Sequence, residues 1–160
     1  SIADWPSGKD FQVDQAAEIS ELLLAEVVAD ARNLLKIIKE PKKRLNVYVP
    51  SDSASKFFFE MVRASVGDGK KGDVIKKFSS VGIKPERIIK LQHELGDDLT
   101  KKLLSIPKFD EFSVLSEAAA FLSGEIGMEV YVFKAGERGT HDPANRAKDA
   151  LPFKPAFFLE

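Results

Sequence analysis

Cysteine is absent from the 160 residues. Disulfides, thiolate nucleophiles and zinc–thiolate centres are therefore excluded. Histidine is nearly as scarce: His93 and His141 stand far apart, which argues against a histidine-rich metal site. No apolar run reaches the roughly 18 residues that mark a membrane-spanning helix. No charged-then-apolar leader with a small-residue cleavage site opens the sequence, so the expected location is the cytoplasm. Internal repeats and low-complexity tracts are also missing. So are the G-x-S-x-G, G-x-G-x-x-G and Walker patterns.

What is present is charge, unevenly placed. The formal net charge is only −1, yet residues 1–29 sum to −5, residues 30–90 to +8 and residues 91–160 to −4. A basic middle between acidic ends points to a localised positive face. Such faces bind phosphate backbones through Lys and Arg, although an unevenly charged solvated surface would look the same.

The hydrophobic pattern divides the chain near Pro41. Residues 1–13 read as irregular, with Trp5-Pro6 and Ser7-Gly8-Lys9 as breakers. From an N-cap at Asp14, apolar residues recur at helical spacing from Ala16 to Ile38, and Pro41 stops the run. No helix of comparable length stands beside it in sequence. This predicts a long N-terminal helix taken from a helical bundle whose other members lie elsewhere.

Beyond Pro41 the expected class is α/β, in the α+β sense: a small three-stranded sheet covered by helices. Strands are expected at 45–49, 128–132 and 156–160. Between them, helices are expected from Ser51 or Asp52 to Val66, at 73–80, from Lys84 to Leu104 with a break or bend at Gly96, and from Phe112 to Ile126. Gly67-Asp68-Gly69-Lys70-Lys71-Gly72 reads as a basic loop, and Gly127 as a helix C-cap. Residues 136–151 read as a polar loop with one helical turn near 144–150.

Catalytic motifs are hard to find. His93-Glu94 lacks a nucleophile partner in sequence, and His141-Asp142 has no surrounding motif. Asp97-Asp98 and Asp110-Glu111 lack calcium-loop spacing. A small hydrolase built on His141, Asp142 and Glu137 is therefore a weak reading. A non-catalytic protein-interaction module, presenting the Phe57-Phe58-Phe59 run, is the alternative to nucleic-acid binding. No residue is expected to ligate metal or to act as a catalyst.

A resemblance sharpens this reading. Ala3-Asp4-Trp5-Pro6 and the stretch Glu18 to Ile38 resemble the closing helix of the anticodon-binding bundle of a class I aminoacyl-tRNA synthetase. Pro41 to Val49 resembles the strand that opens the C-terminal domain of archaeal/eukaryotic-type leucyl-tRNA synthetases. The tail is more specific: Gly127 to Val132, Asp142-Pro143, Arg146-Ala147-Lys148 and then Leu151-Pro152-Phe153-Lys154-Pro155-Ala156-Phe157-Phe158-Leu159-Glu160.

The resemblance implies residues 1–41 as the end of the bundle and residues 42–160 as a C-terminal tRNA-recognition domain. It implies leucine tRNA as partner, through its long variable arm, and the remainder of the synthetase in cis. DNA and membranes are not expected partners. Phe157, Leu159 and Glu160 would touch bases at the arm tip. Lys42, Lys43, Arg44, Lys70 and Lys71, within the basic middle, are the candidates for its phosphates. The family uses ATP and magnesium at His-x-Gly-His and Lys-Met-Ser-Lys-Ser signatures. The sequence has neither, so the catalytic and editing domains are expected to lie outside it, with no cofactor held here.

Overall fold

The computed structural model describes residues 8–67, 69–106 and 109–160, with side chains from Gln15 onward. Three expected features, the Trp5-Pro6 breaker, Asp68 of the glycine loop and the stop at Pro107, lie outside these residues. The architecture is α+β. Helix α1 (Gly8–Ile37) precedes strand β1 (Arg44–Val49) and helix α2 (Asp52–Val66). Four helical pieces then follow: α3 (Lys71–Lys77), α4 (Pro85–Leu95), α5 (Asp97–Ser105) and α6 (Glu111–Glu117). Helix α7 (Ala119–Ile126), strand β2 (Glu129–Lys134) and strand β3 (Ala156–Leu159) complete the order.

The strand order is β2-β1-β3. β1 runs parallel to β2 and antiparallel to β3, so the last strand returns beside the first on its free side. Side chains alternate across a strand. The inner face therefore carries Leu45, Val47, Val130, Val132, Phe157 and Leu159, all within or against the main core. The other face carries Arg44, Asn46, Tyr48, Tyr131, Phe133 and Phe158.

Helix α1 starts earlier than its sequence pattern suggests, at Gly8, so Asp14 lies inside it and is not its N-cap. Nothing from Asp10 to Val13 breaks a helix, and propagation costs less than nucleation. Its stripe of Ile19, Leu23, Val27 and Ala31 is buried in the same core as the sheet, together with Leu103, Leu115, Leu122 and Phe153. Pro41 thus separates two elements without dividing the packing.

Helix α2 is capped by Ser51, whose hydroxyl accepts the Ala54 N–H at 3.2 Å. Phe57, Phe58, Met61 and Val62 build a second core with Ile88 and Leu91, whereas Val66 is exposed. Helix α3 begins at Lys71 and takes in Gly72, where no helix was expected. In a first turn, where the amide would lack an intrahelical partner in any case, glycine is tolerated. The long helix expected from 84 to 104 divides at Gly96, whose φ of 83° no L-residue adopts readily. The helix expected from 112 to 126 likewise divides, at Ala118. Gly127 caps α7 in the left-handed region, as its position suggested.

Candidate nucleic-acid interface

β3 is an edge strand, and its hydrogen bonding decides which atoms the edge displays. Glu160 N–H donates to the Arg44 carbonyl at 2.9 Å, and Arg44 N–H donates back to the Glu160 carbonyl at 3.1 Å. Lys43 N–H reaches the same Glu160 oxygen at 2.8 Å. In an antiparallel pair, bonded and non-bonded residue pairs alternate. With this register, Phe158 faces Asn46 in the next bonded pair. Phe157 and Leu159 then turn their N–H and C=O groups away from β1, toward the open side. Their side chains point into the core, with Leu159 buried and Phe157 packed against the same cluster. Strand alternation thus takes both side chains inward and leaves the backbone of these two residues on the open side.

A groove of about 500 Å³ runs along this edge. Its walls are the end of α1 with the following turn (Leu34, Ile38, Lys39, Lys42), the β3 residues and Arg146. Three cations therefore stand beside amide and carbonyl groups that β1 does not use. Lys42 is partly neutralised by Glu40, 3.7 Å away. Lys39 and Arg146 are exposed, and neither is ion-paired among the described residues. Neither Lys39 nor Arg146 is among the phosphate candidates expected from the sequence. Their sequence positions are more than a hundred residues apart, and only the return of β3 beside β1 brings them together.

Around the end of β3 lies a polar network on the outer face. Asn46, fully buried, donates through Nδ2 to Glu160 Oε2 at 3.0 Å and accepts from Arg44 Nε at 2.7 Å. His141 Nε2 lies 2.8 Å from Glu160 Oε1. The Asn46 amide, then His141, hold the Glu160 carboxyl below the usual carboxylate range. An ionised carboxylate only accepts, so Nε2 carries the proton. The Tyr48 hydroxyl donates to the His141 carbonyl at 2.6 Å, and burial, helped by Asp142, pushes its pKa up to about 12. Arg44 also lies 3.9 Å from the centre of the Tyr131 ring, a cation–π contact.

The remaining candidates lie elsewhere. Lys43 is exposed beside the network, and Arg44 is committed to Asn46, Glu160 and Tyr131. Lys70 and Lys71 are exposed at the start of α3, which packs on α2; neither lines the groove. His93 is exposed on α4. Asp142 is used as a cap, accepting from the amides of Arg146 and Ala147 at 2.7 and 3.0 Å. His141 and Asp142 thus both have structural partners, Glu160 for the first and the amides of Arg146 and Ala147 for the second. Phe57 and Phe58 are buried and Phe59 is half-buried, so the Phe57-Phe58-Phe59 run makes no exposed apolar landing surface. No helix is long and apolar enough to cross a membrane among the described residues.

Comparison with known proteins finds relatives in sequence. No family model matches the chain. The leucine–tRNA ligase of Methanocaldococcus jannaschii is 28% identical over 161 residues, covering all of this chain and 16% of that enzyme. That of Methanothermobacter thermautotrophicus is 26% identical over 162 residues, covering 99% of the chain and 16% of the enzyme. The chain is similar along its whole length to a small part of the archaeal leucine–tRNA ligases. Leucine–tRNA ligase 2 of Sulfolobus acidocaldarius is also 26% identical, over 170 residues and all of the chain. The chain spans about a sixth of the length of the leucine–tRNA ligases it matches. The matched stretch runs from α1 to β3 and includes the open edge and the groove.

Proposed function

We propose that this chain is the C-terminal, tRNA-contacting region of a leucyl-tRNA synthetase, and that the open edge of β3 reads the tip of the long variable arm of leucine tRNA. The observation that carries this reading is the free backbone of Phe157 and Leu159 beside Lys39, Lys42 and Arg146. Bases splayed from a loop offer donors and acceptors on their edges, and a strand edge offers amides and carbonyls in return. The neighbouring cations meet phosphates on either side of the splayed bases. Lys43, Lys70 and Lys71 extend the positive surface along the arm. Glu160, held by Asn46 and His141, fixes the end of the strand and leaves a carboxylate near the reading edge.

On this reading the chain contributes recognition, not chemistry. Residues 1–41 would be the end of the anticodon-binding bundle and residues 42–160 the recognition domain. Because α1 packs into the core of the sheet, it would couple the two without a slack hinge. ATP and magnesium would act at the His-x-Gly-His and Lys-Met-Ser-Lys-Ser signatures, which the sequence lacks, so these residues do not fit either group. The setting would be cytoplasmic protein synthesis.

The test is binding of the chain to leucine tRNA with its long arm intact and with the arm shortened, at low and moderate salt. Preference for the intact arm, weakening as salt rises, is the expected result. Equal binding to both RNAs would remove the arm as the ligand. In the complete synthetase, deleting residues 156–160 should weaken leucylation far more than leucine activation. Unchanged charging would overturn the role of the edge.

A further inference from the structure

We infer that Glu111 is the positioning residue of the β3 edge: its enclosed carboxyl group holds the amide of Phe153, and so the turn that aims β3 along β1. The binding part of this inference rests on the function proposed above; the structural part does not.

The turn is Leu151-Pro152-Phe153-Lys154, and only Pro155 lies between it and β3. Lys154 N–H donates to the Leu151 carbonyl at 2.8 Å, and Leu151 N–H donates to the Lys154 carbonyl at 3.0 Å. Pro at the second position and a positive φ of 62° at Phe153 in the third mark a type II pattern. That third position is normally glycine or asparagine. A phenylalanine stays there only where its surroundings hold it. Two contacts do so. The phenyl ring is buried in the main core, and Phe153 N–H donates to Glu111 Oε1 at 2.6 Å. Glu111 stands at the first residue of α6, directly after the cap Asp110, so the holding group is fixed to a helix.

The carboxyl group is poorly matched to carrying charge. Its second oxygen, Oε2, is buried without a hydrogen-bond partner. The charge acting on it among the described residues is the Asp110 carboxylate on its own helix, which is of like sign. The cation of the turn, Lys154, faces Glu26 and Asp30 of α1, at 3.9 and 3.7 Å. Burial first, then Asp110, pushes the Glu111 pKa up to about 7. The neutral acid can accept the Phe153 amide without cost. The ionised form is relieved when the turn opens and water reaches it. Opening therefore becomes more frequent as pH rises from about 5 to about 8, and the β3 edge loosens with it.

The experiment is hydrogen exchange of the backbone amides of the whole chain from pH 5 to pH 8, corrected for intrinsic rates, with β1 amides as the internal reference. In the wild type, protection of Phe153 and Lys154 should fall at least tenfold more than that of β1, since one pH unit corresponds to a factor of ten in such an equilibrium. Glu111→Gln, which keeps the acceptor and removes the charge, should hold protection level across the range. Glu111→Ala should lower it at every pH. Equal protection of the turn in wild type and Glu111→Ala, or an identical pH trend in Glu111→Gln, overturns the inference. If Glu111→Ala does not fold, the comparison of wild type with Glu111→Gln decides. Binding of leucine tRNA should weaken several-fold in Glu111→Ala relative to Glu111→Gln. Exchange that behaves as expected with unchanged RNA binding would leave Glu111 as the positioning residue and remove β3 as the reading edge.

Discussion

The two faces of the β2-β1-β3 sheet are made from alternate residues of the same strands, yet they do opposite things. The inner face is apolar along all three strands and is closed by α1, α6 and α7. The outer face holds a buried asparagine, a stacked arginine, a glutamate and a histidine in one connected network. The inner face binds the fold together through area removed from water. The outer face and the adjoining edge fix directions: which way the end of β3 points and which backbone atoms it shows. A single-residue alternation thus separates the face that packs the core from the face and edge that carry the polar network.

That separation is most sharply tested by Leu23→Ala. Leu23 lies on α1, fully buried against the inner face. If α1 belongs to this core, the truncation should cost about 2–5 kcal/mol, as a large cavity in a packed site does. Urea unfolding of the chain measures it. A loss under 1 kcal/mol would mean that α1 only rests on the domain, which would favour a bundle helix docked from outside.

The next effect is set by pH. Glu111 ionises at about 7 in the fold against an ordinary value of 4.5. A carboxyl raised in the folded state contributes stability that is present below the unfolded value and is lost as pH rises through the folded one. Across about 2.5 pH units, at about 1.4 kcal/mol per unit, the loss is roughly 3 kcal/mol between pH 4.5 and pH 7. Glu160 has the opposite sign: its carboxyl is lowered in the fold, so its contribution is present above the unfolded value and lost as pH falls through the folded one. Melting the wild type and Glu111→Gln at pH 5 and pH 7.5 separates them. The wild type should be the more stable at the lower pH, and the substitution should abolish most of the difference.

Asn46→Ala comes third, at about 1–3 kcal/mol. Removing the amide leaves Arg44 Nε without its acceptor and Glu160 Oε2 without its closest donor. Loss of the Arg44–Tyr131 contact, seen as a change in tyrosine ring shifts, should accompany it. A stability change with undisturbed ring shifts would show that Asn46 acts alone, without holding the network.

These comparisons also show what was legible in the sequence. The alternation in Leu45-Asn46-Val47-Tyr48-Val49 marks a strand, and the Gly96 and Gly127 positions mark helix ends. The apolar stripe of α1 is legible too, but not what covers it, since Leu103, Leu115, Leu122 and Phe153 are distant in sequence. For β3, Ala156-Phe157-Phe158-Leu159 is apolar throughout, so the pattern does not say which residues turn inward. The register on β1 decides that: it turns the side chains of Phe157 and Leu159 inward and their amides and carbonyls to the open side. The places that Asn46, Glu111 and Arg146 take in the fold have no local signal in the sequence. A buried asparagine and an enclosed glutamate look like surface residues until their partners are known.

The smallest effect on stability is expected at the groove that the proposed function assigns to RNA. Lys39 and Arg146 are exposed, unpaired among the described residues, and placed on opposite walls of the groove beside β3. Replacing both by alanine should change unfolding stability by no more than about 0.5 kcal/mol, as surface substitutions without special contacts do. If the groove meets phosphates, each lost contact should flatten the dependence of log affinity on log salt by roughly 0.7–0.9. The double variant should then show a slope shallower by about 1.5, measured for leucine tRNA across a salt series. A slope equal to wild type, with affinity also unchanged, would mean that the RNA passes elsewhere on the positive surface. Lys70 and Lys71 of α3 would then be the next cations to remove. A variant that instead lost stability would show that the edge is part of the fold after all, and that the division between the two faces is less complete than their side chains suggest.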